Sequence, residues 1–130
     1  IAMVAGRATL EILERDAPYA RLEAAGARLE TAIREAASRA RLALQVNRVG
    51  SMLTVFFADH PVTNLSSAQQ ADTGRWRRFA AALREVGVLI PPSPFEALFV
   101  SAAHTPQVIE RLARAASRAI HETTNSRSVH

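Results

Sequence analysis

The stretch "PPSPFEALFVSAAHTP", Pro91 to Pro106, holds the residue types best arranged to do chemistry. Prolines at 91, 92 and 94 fix φ and restrict the residues before them, so the chain ahead of Glu96 is stiff. After Glu96 the sequence turns apolar. A carboxylate in that position is either solvent-facing or held at the mouth of a pocket, where it could accept hydrogen bonds from a polar ligand. Ser93, set among the prolines, is a candidate for its support. His104 follows Ser101 by three residues, but no acid is placed to orient the ring, so positioning or packing fits His104 better than nucleophile activation. His60, His104, His121 and His130 never stand three or four apart, which excludes a helical metal pair, and no metal site is expected.

Two further groups could bind rather than react. "NRVGSM" places Asn47 and Arg48 beside a tight turn, and the competing reading is an arginine on an edge strand. "GRWRRF" (Gly74–Phe79) mixes arginines with aromatics, as a nucleic-acid patch would. Helical spacing instead turns Trp76 and Phe79 to one side and leaves the arginines wet, which is the favoured reading. The chain carries sixteen Lys+Arg against twelve Asp+Glu, and all sixteen are arginine. Many alternate with glutamate at helical spacing (Glu11/Arg15, Glu30/Arg34, Glu35/Arg39), so a solvated helix face accounts for the charge and no nucleic-acid partner is expected. With no lysine, chemistry that runs through a lysine amine cannot be completed by these residues. With no cysteine, disulfides and thiolate metal sites are excluded, and a cytoplasmic setting is expected. No apolar run is long enough to span a membrane.

The elements that must position these residues follow from periodicity. At 130 residues the chain is about one domain long, and its first residue, Ile1, already lies in a helical pattern, so it reads as a piece of something longer. A first helix is predicted over Ile1–Arg15. Asp16 then caps a second helix that runs to about Arg39, with Pro18 in its first turn and Leu22, Ala25, Leu29, Ile33 and Ala36 as its stripe. Period-two alternation through Leu42, Leu44 and Val46 predicts a strand, Gly50–Ser51 a hairpin turn, and Met52–Ala58 a central return strand. Asp59–Ala71 reads as a long polar loop. Asp72 or Thr73 caps the next helix, which Gly87 ends. Val88–Ile90 and Phe95–Val100 read as extended, and Thr105 caps a last helix with Pro106 at its first position. The expected class is α+β, a small antiparallel sheet packed by helices in the order ααββαββα. Residues 1–40 are expected as helices leading from another domain and less committed to the core. Residues 41–121 form the small α+β domain, and 122–130 a polar, disordered tail.

Three strings carry a resemblance: "VNRVGSMLTVFF", "ADTGRWRRF" and "GVLIPPSPFEALFVSAAHT", in that order and spacing. They resemble the C-terminal part of the glutamate-1-semialdehyde 2,1-aminomutase family, and "IAMVAGRATLEIL" looks like the helix that follows the cofactor-binding region there. The likeness extends to about Ile120. It implies a homodimer of the aspartate-aminotransferase fold that uses pyridoxal or pyridoxamine 5′-phosphate to move an amino group from C2 to C1 of glutamate 1-semialdehyde. The product would be 5-aminolevulinate, the tetrapyrrole precursor. It also implies that the cofactor lysine, the phosphate-binding residues and the gating loop lie in an upstream domain. This chain would then hold no catalytic residue of its own and bind no cofactor covalently. Glu96 matches the glutamate of the family's FEA motif on the active-site wall, while Asn47, Arg48 and His104 carry no role beyond support. Leu98 and the string "GVLIPPS" depart from the family pattern, so the alternative is the small domain of another class III aminotransferase with a different small-molecule substrate.

Overall fold

A computed structural model describes residues 1–125. Its elements are α1 (Ala2–Asp16), α2 (Tyr19–Arg39), β1 (Gln45–Val49), β2 (Met52–Phe56), α3 (Leu65–Gln69), α4 (Thr73–Glu85), β3 (Leu98–Phe99) and α5 (Pro106–Asn125). The three strands form one antiparallel sheet in the order β1-β2-β3, so β2 is central, as its apolar run predicts. β1 and β2 pair Val49 with Met52 across the two-residue turn Gly50–Ser51, where Gly50 takes φ +60°. An L-residue is disfavoured at that φ, which is why glycine occupies the turn. The class is α+β.

The core lies between the sheet and three helices. α2 packs chiefly on α5, and α4 packs on α5 as well. Leu29, Ile33 and Ala36 of α2 meet Leu53 and Val55 of β2, Trp76 and Phe79 of α4, and Ile109 and Ile120 of α5. Phe57 and Phe79 touch edge to face at 5.6 Å, and Trp76 stands 5.8 Å from Phe79. The aromatics of "GRWRRF" are therefore core residues, and Arg77 and Arg78 are exposed. The expectation that both N-terminal helices stand apart from the core holds only for α1. That helix buries no residue and leaves Met3, Val4 and Leu10 largely exposed, whereas α2 is one wall of the core.

Several boundaries differ from the sequence reading, each for a local reason. Asp16 ends α1 instead of capping α2, because Ala17 adopts the left-handed conformation (φ 37°, ψ 57°) and closes α1 with a bond to the Leu13 carbonyl. Pro18 becomes the N-cap of α2. The first strand begins at Gln45, after a turn in which Arg41 takes positive φ. The polar stretch 59–71 contains a short helix, α3, built on a capping box in which Asn64 accepts from Ser67 N–H and Ser67 Oγ accepts from Asn64 N–H. Val62, Ala68 and Ala71 pack there on Phe56 and Ala58 in a satellite core. Val88–Ile90 pairs with no strand among the described residues, giving the order ααββααβα in place of ααββαββα. α5 runs through Asn125, so Glu122–Asn125 are helical where a tail is expected, and residues 126–130 lie outside the described ones. No helix is long and apolar enough to cross a membrane among the described residues.

Candidate functional site

Glu96 sits on a short, well-braced turn between α4 and β3. Ser93 supplies the brace: its Oγ accepts the Phe95 N–H at 3.2 Å and its carbonyl accepts the Glu96 N–H at 3.3 Å. A serine hydroxyl capturing the backbone two residues on is a recognised turn-former. Pro94, within the turn, is buried. On the far side, Leu98 and Phe99 pair with Leu53 and Met52 of the central strand. The backbone is thus held at both ends, while the Glu96 side chain is exposed and has no hydrogen-bond or ion-pair partner among the described residues.

Next to this turn lies a cleft of about 550 Å³ bounded by α2, α4, α5 and the segments 87–91 and 97–100. Its walls are mostly aliphatic and aromatic, among them Ile33, Leu83, Ile90, Leu98 and Val108, with His104 and Arg111 as polar groups. Ala97 lines it, whereas Glu96, next in the chain, is exposed and does not. His104 is fixed by a reciprocal pair: its ring Nδ1 accepts the Ser101 N–H at 3.0 Å, and its own N–H donates to the Ser101 carbonyl at 3.0 Å. An accepting Nδ1 places the proton of the neutral ring on Nε2. Ser101 engages His104 through its backbone, so the two form no nucleophile–base dyad.

The other candidates lie elsewhere. Arg48 reaches back to α2, with Nε on Glu30 at 2.7 Å and Nη1 on both Glu23 (2.7 Å) and the Gly50 carbonyl (2.8 Å). Arg34 binds the same Glu30 at 2.9 Å and donates to the Val46 carbonyl at 2.6 Å. Burial pushes the Glu30 carboxyl up, but hydrogen bonds from Arg48 and Arg34 outweigh it and hold the carboxyl below its ordinary range. Asn47 Nδ2 donates to the Val62 carbonyl at 2.8 Å and ties β1 to the 59–71 segment. Thus Ser93 braces the turn that carries Glu96 and His104 lines the neighbouring cleft, while Arg48 braces the hairpin and Asn47 ties β1 to the 59–71 segment. Sequence reasoning missed Arg111, because periodicity in α5 reports only the helix's apolar side. It also missed Glu23 and Glu30 as partners of Arg48, since nothing local in sequence couples residues 25 and 18 positions apart. No three acidic or histidine side chains converge on a metal-sized site among the described residues.

The fold is shared with an omega-transaminase from Sphaerobacter thermophilus: TM-score 0.67 at 20% identity, covering 82% of this chain and 24% of that one. This is the small α+β portion of an aminotransferase-type fold. In sequence, the chain is homologous to the C-terminal portion of glutamate-1-semialdehyde 2,1-aminomutases. It is 45% identical over 122 residues to that of Thermomicrobium roseum, 46% over 122 to that of Anaeromyxobacter sp. strain K, and 45% over 121 to that of a Thermus thermophilus strain. These matches cover 92–94% of this chain, which spans 28% of the length of each relative. No protein-family profile matches the chain.

Proposed function

We propose that this chain is the C-terminal small domain of a glutamate-1-semialdehyde 2,1-aminomutase, an isomerase that forms 5-aminolevulinate for tetrapyrrole synthesis, working as a cytoplasmic homodimer. The observation that carries this reading is identity of about 45% sustained over 94% of the chain. The full reaction needs pyridoxal or pyridoxamine phosphate. The sequence has no lysine to anchor that group, and among the described residues the cleft beside Glu96 is lined mainly by apolar side chains. The cofactor therefore belongs to the portion outside these 130 residues, and no chemical step is assigned to this chain.

What the chain contributes is positioning. The substrate is a small amino-acid derivative whose two amination sites must meet one cofactor in turn. A carboxylate with a braced backbone and an unengaged side chain, as at Glu96, can orient an ammonium group or a partner arginine on the wall of the complete pocket. Ser93 holds that backbone, and His104 stiffens the turn that enters α5. The test is to express the complete reading frame containing these residues and assay it with glutamate 1-semialdehyde. Formation of 5-aminolevulinate is expected. Amino transfer between a separate donor and acceptor would assign the chain to another aminotransferase, and absence of both activities would overturn the reading.

A further inference from the structure

The cleft beside the Glu96 turn has the make-up of a small-molecule site. Its volume, about 550 Å³, falls in the range of ligand pockets, which are mostly apolar with a few placed polar groups. Ile33 of α2, Leu53 of β2, Phe79 and Leu83 of α4, and Val108 and Leu112 of α5 supply apolar wall. Two polar side chains interrupt it, and both are donors. His104 spends its Nδ1 on the Ser101 N–H at 3.0 Å, so in the neutral ring Nε2 carries the proton, and it meets no partner among the described residues. Arg111 makes neither an ion pair nor a side-chain hydrogen bond among the described residues. Its Nη2 lies 3.7 Å from the point a Cβ on Gly87 would occupy, so the guanidinium reaches from α5 to the segment 87–91, which also lines the cleft. No acidic side chain is among the described residues that line it.

We propose that this cleft binds a free monocarboxylate with an apolar body, its carboxylate on Arg111 and His104 and its body against the apolar wall. The sign of the charge follows from the donors. A guanidinium and an imidazole N–H with no acid beside them favour an anion and reject a cation. A carboxylate has two oxygens, one for each donor, and the bonds strengthen where water is thin. A phosphate or a sugar would leave polar groups unanswered, because the rest of the wall offers apolar side chains, and an unpaired polar group away from water is costly. A hydrocarbon would leave both donors unanswered instead. The site is separate from Glu96, which is exposed and lines none of it. Every group it uses lies in this chain, so it does not depend on the aminomutase reading.

The test uses the complete protein, with decanoate as the probe below its micelle concentration. Calorimetry should show saturable binding. Decyltrimethylammonium, with a chain of the same length and the opposite charge, should show none. Arg111→Gln should weaken decanoate by about tenfold or more, the loss of one charge-assisted hydrogen bond. The melting temperature should not change, since Arg111 is exposed and has no ion pair to lose among the described residues. Independently of any variant, decanoate carrying a diazirine at its last carbon should, on irradiation, label a peptide that contains a cleft-lining residue. No saturable binding, equal binding of the cation, unchanged affinity in Arg111→Gln, or label confined to residues outside the cleft each overturns the proposal. If the rest of the complete polypeptide fills the cleft, the first of these is the result. None of these measurements needs turnover. Formation of 5-aminolevulinate without decanoate binding removes this site and leaves the function standing, and binding without product does the reverse.

Discussion

Gly26 of α2 lies directly under the carbonyl oxygen of Gly50 in the hairpin turn, so close that a Cβ on Gly26 would overlap that oxygen. The Arg48 Cδ lies 3.3 Å from the same point. A helix-interior glycine normally weakens a helix by about 1 kcal/mol relative to alanine. Here the close approach reverses the sign, because the obstructing atom is backbone in a turn and cannot rotate away. Gly26→Ala should therefore destabilise the chain, by up to about 2 kcal/mol once the propensity gain is subtracted from the overpacking cost. Urea titration reads this as a lower midpoint at unchanged slope. A higher midpoint would show that the turn simply moves aside.

The same contact is held by charge. Arg48 serves Glu30, Glu23 and the Gly50 carbonyl at once, and its side chain is only 16% exposed. Lysine has one compact ammonium and cannot span these acceptors, so Arg48→Lys should cost roughly 1–2 kcal/mol. The pH dependence follows from Glu30. Its carboxyl is held below the ordinary value of 4.5, so its contribution is complete above that value and is lost as the pH falls through the lowered one. Glu30→Gln should flatten the acid limb of a melting-temperature profile. It should not abolish that limb, because Glu110 (bonded by Arg28), Asp59 and Asp16 are lowered as well. A limb as steep as that of wild type would count against the Arg48–Glu30–Arg34 network.

His60 gives a dependence of opposite sign. Its Nε2 lies 3.1 Å from the Ser67 carbonyl and its Nδ1 3.1 Å from Asp59 Oδ1. Only the doubly protonated ring donates to both, and the Ser67 carbonyl, then Asp59, raises its pKa above the ordinary 6.5. The stabilisation is fully present below 6.5 and is lost as the pH rises through the raised value. Asp59 is well exposed, so the effect is confined to the 59–71 segment. Amide exchange at Ser67 and Ala68 should quicken as the pH is raised through the His60 titration, beyond the intrinsic base catalysis. His60→Gln should remove that excess, and a His60 ring titrating at or below 6.5 by NMR would contradict the arrangement.

Much of this architecture was legible because its signals are local. Asp72 does cap α4, accepting the Arg75 N–H at 2.8 Å. Thr105 accepts the Val108 N–H at 3.4 Å ahead of Pro106, and Gly87 takes φ 79° just past α4. What escaped was either masked locally or set at a distance. The helix inside 59–71 is announced only by Asn64 and Ser67, whose capping box spans three residues in a stretch otherwise typical of loop. The Gly26–Gly50 contact joins positions 24 apart in sequence, and neither glycine advertises the other. Helical spacing pairs Arg15 with Glu11, yet Arg15 binds Asp16 at 2.7 Å while Glu11 takes Arg7, since several partners lie within reach on an exposed helix. At the candidate site, the prolines and Ser93 stand out in the sequence, and the structure adds the Ser93 bonds to the Phe95 and Glu96 amides. What Glu96 faces was not readable, because no side chain among the described residues answers it.

The absence of lysine makes a plain expectation for the cofactor. Mixed with pyridoxal phosphate, the 130-residue chain should carry none on any side chain after borohydride reduction and dialysis, because no lysine amine is available and the Ile1 α-amine is its one other primary amine. The complete protein should retain about one equivalent per chain, at a lysine outside these residues. Mass spectrometry distinguishes the two. A stable adduct on a side chain of the 130 residues would overturn the assignment of the cofactor to the other portion.

The sharpest test concerns Glu96. Its side chain is exposed and without a partner among the described residues, so Glu96→Gln should not change the melting temperature of the 130-residue chain. If its carboxylate orients substrate or a partner arginine in the complete enzyme, the same change removes a charge-assisted hydrogen bond. Turnover should then fall by an amount corresponding to about 1–3 kcal/mol, roughly fivefold to 150-fold. Ser93→Ala removes the Oγ that fixes the Phe95 amide, and it should act through Glu96. The expected loss is smaller than that of Glu96→Gln, with little further loss when the two are combined, the non-additivity of residues that work as a unit. Steady-state kinetics of both single variants and the double variant decide between positioning and bystander roles. Strictly additive losses would separate Ser93 from Glu96, and wild-type turnover and KM in Glu96→Gln would remove Glu96 from the substrate wall.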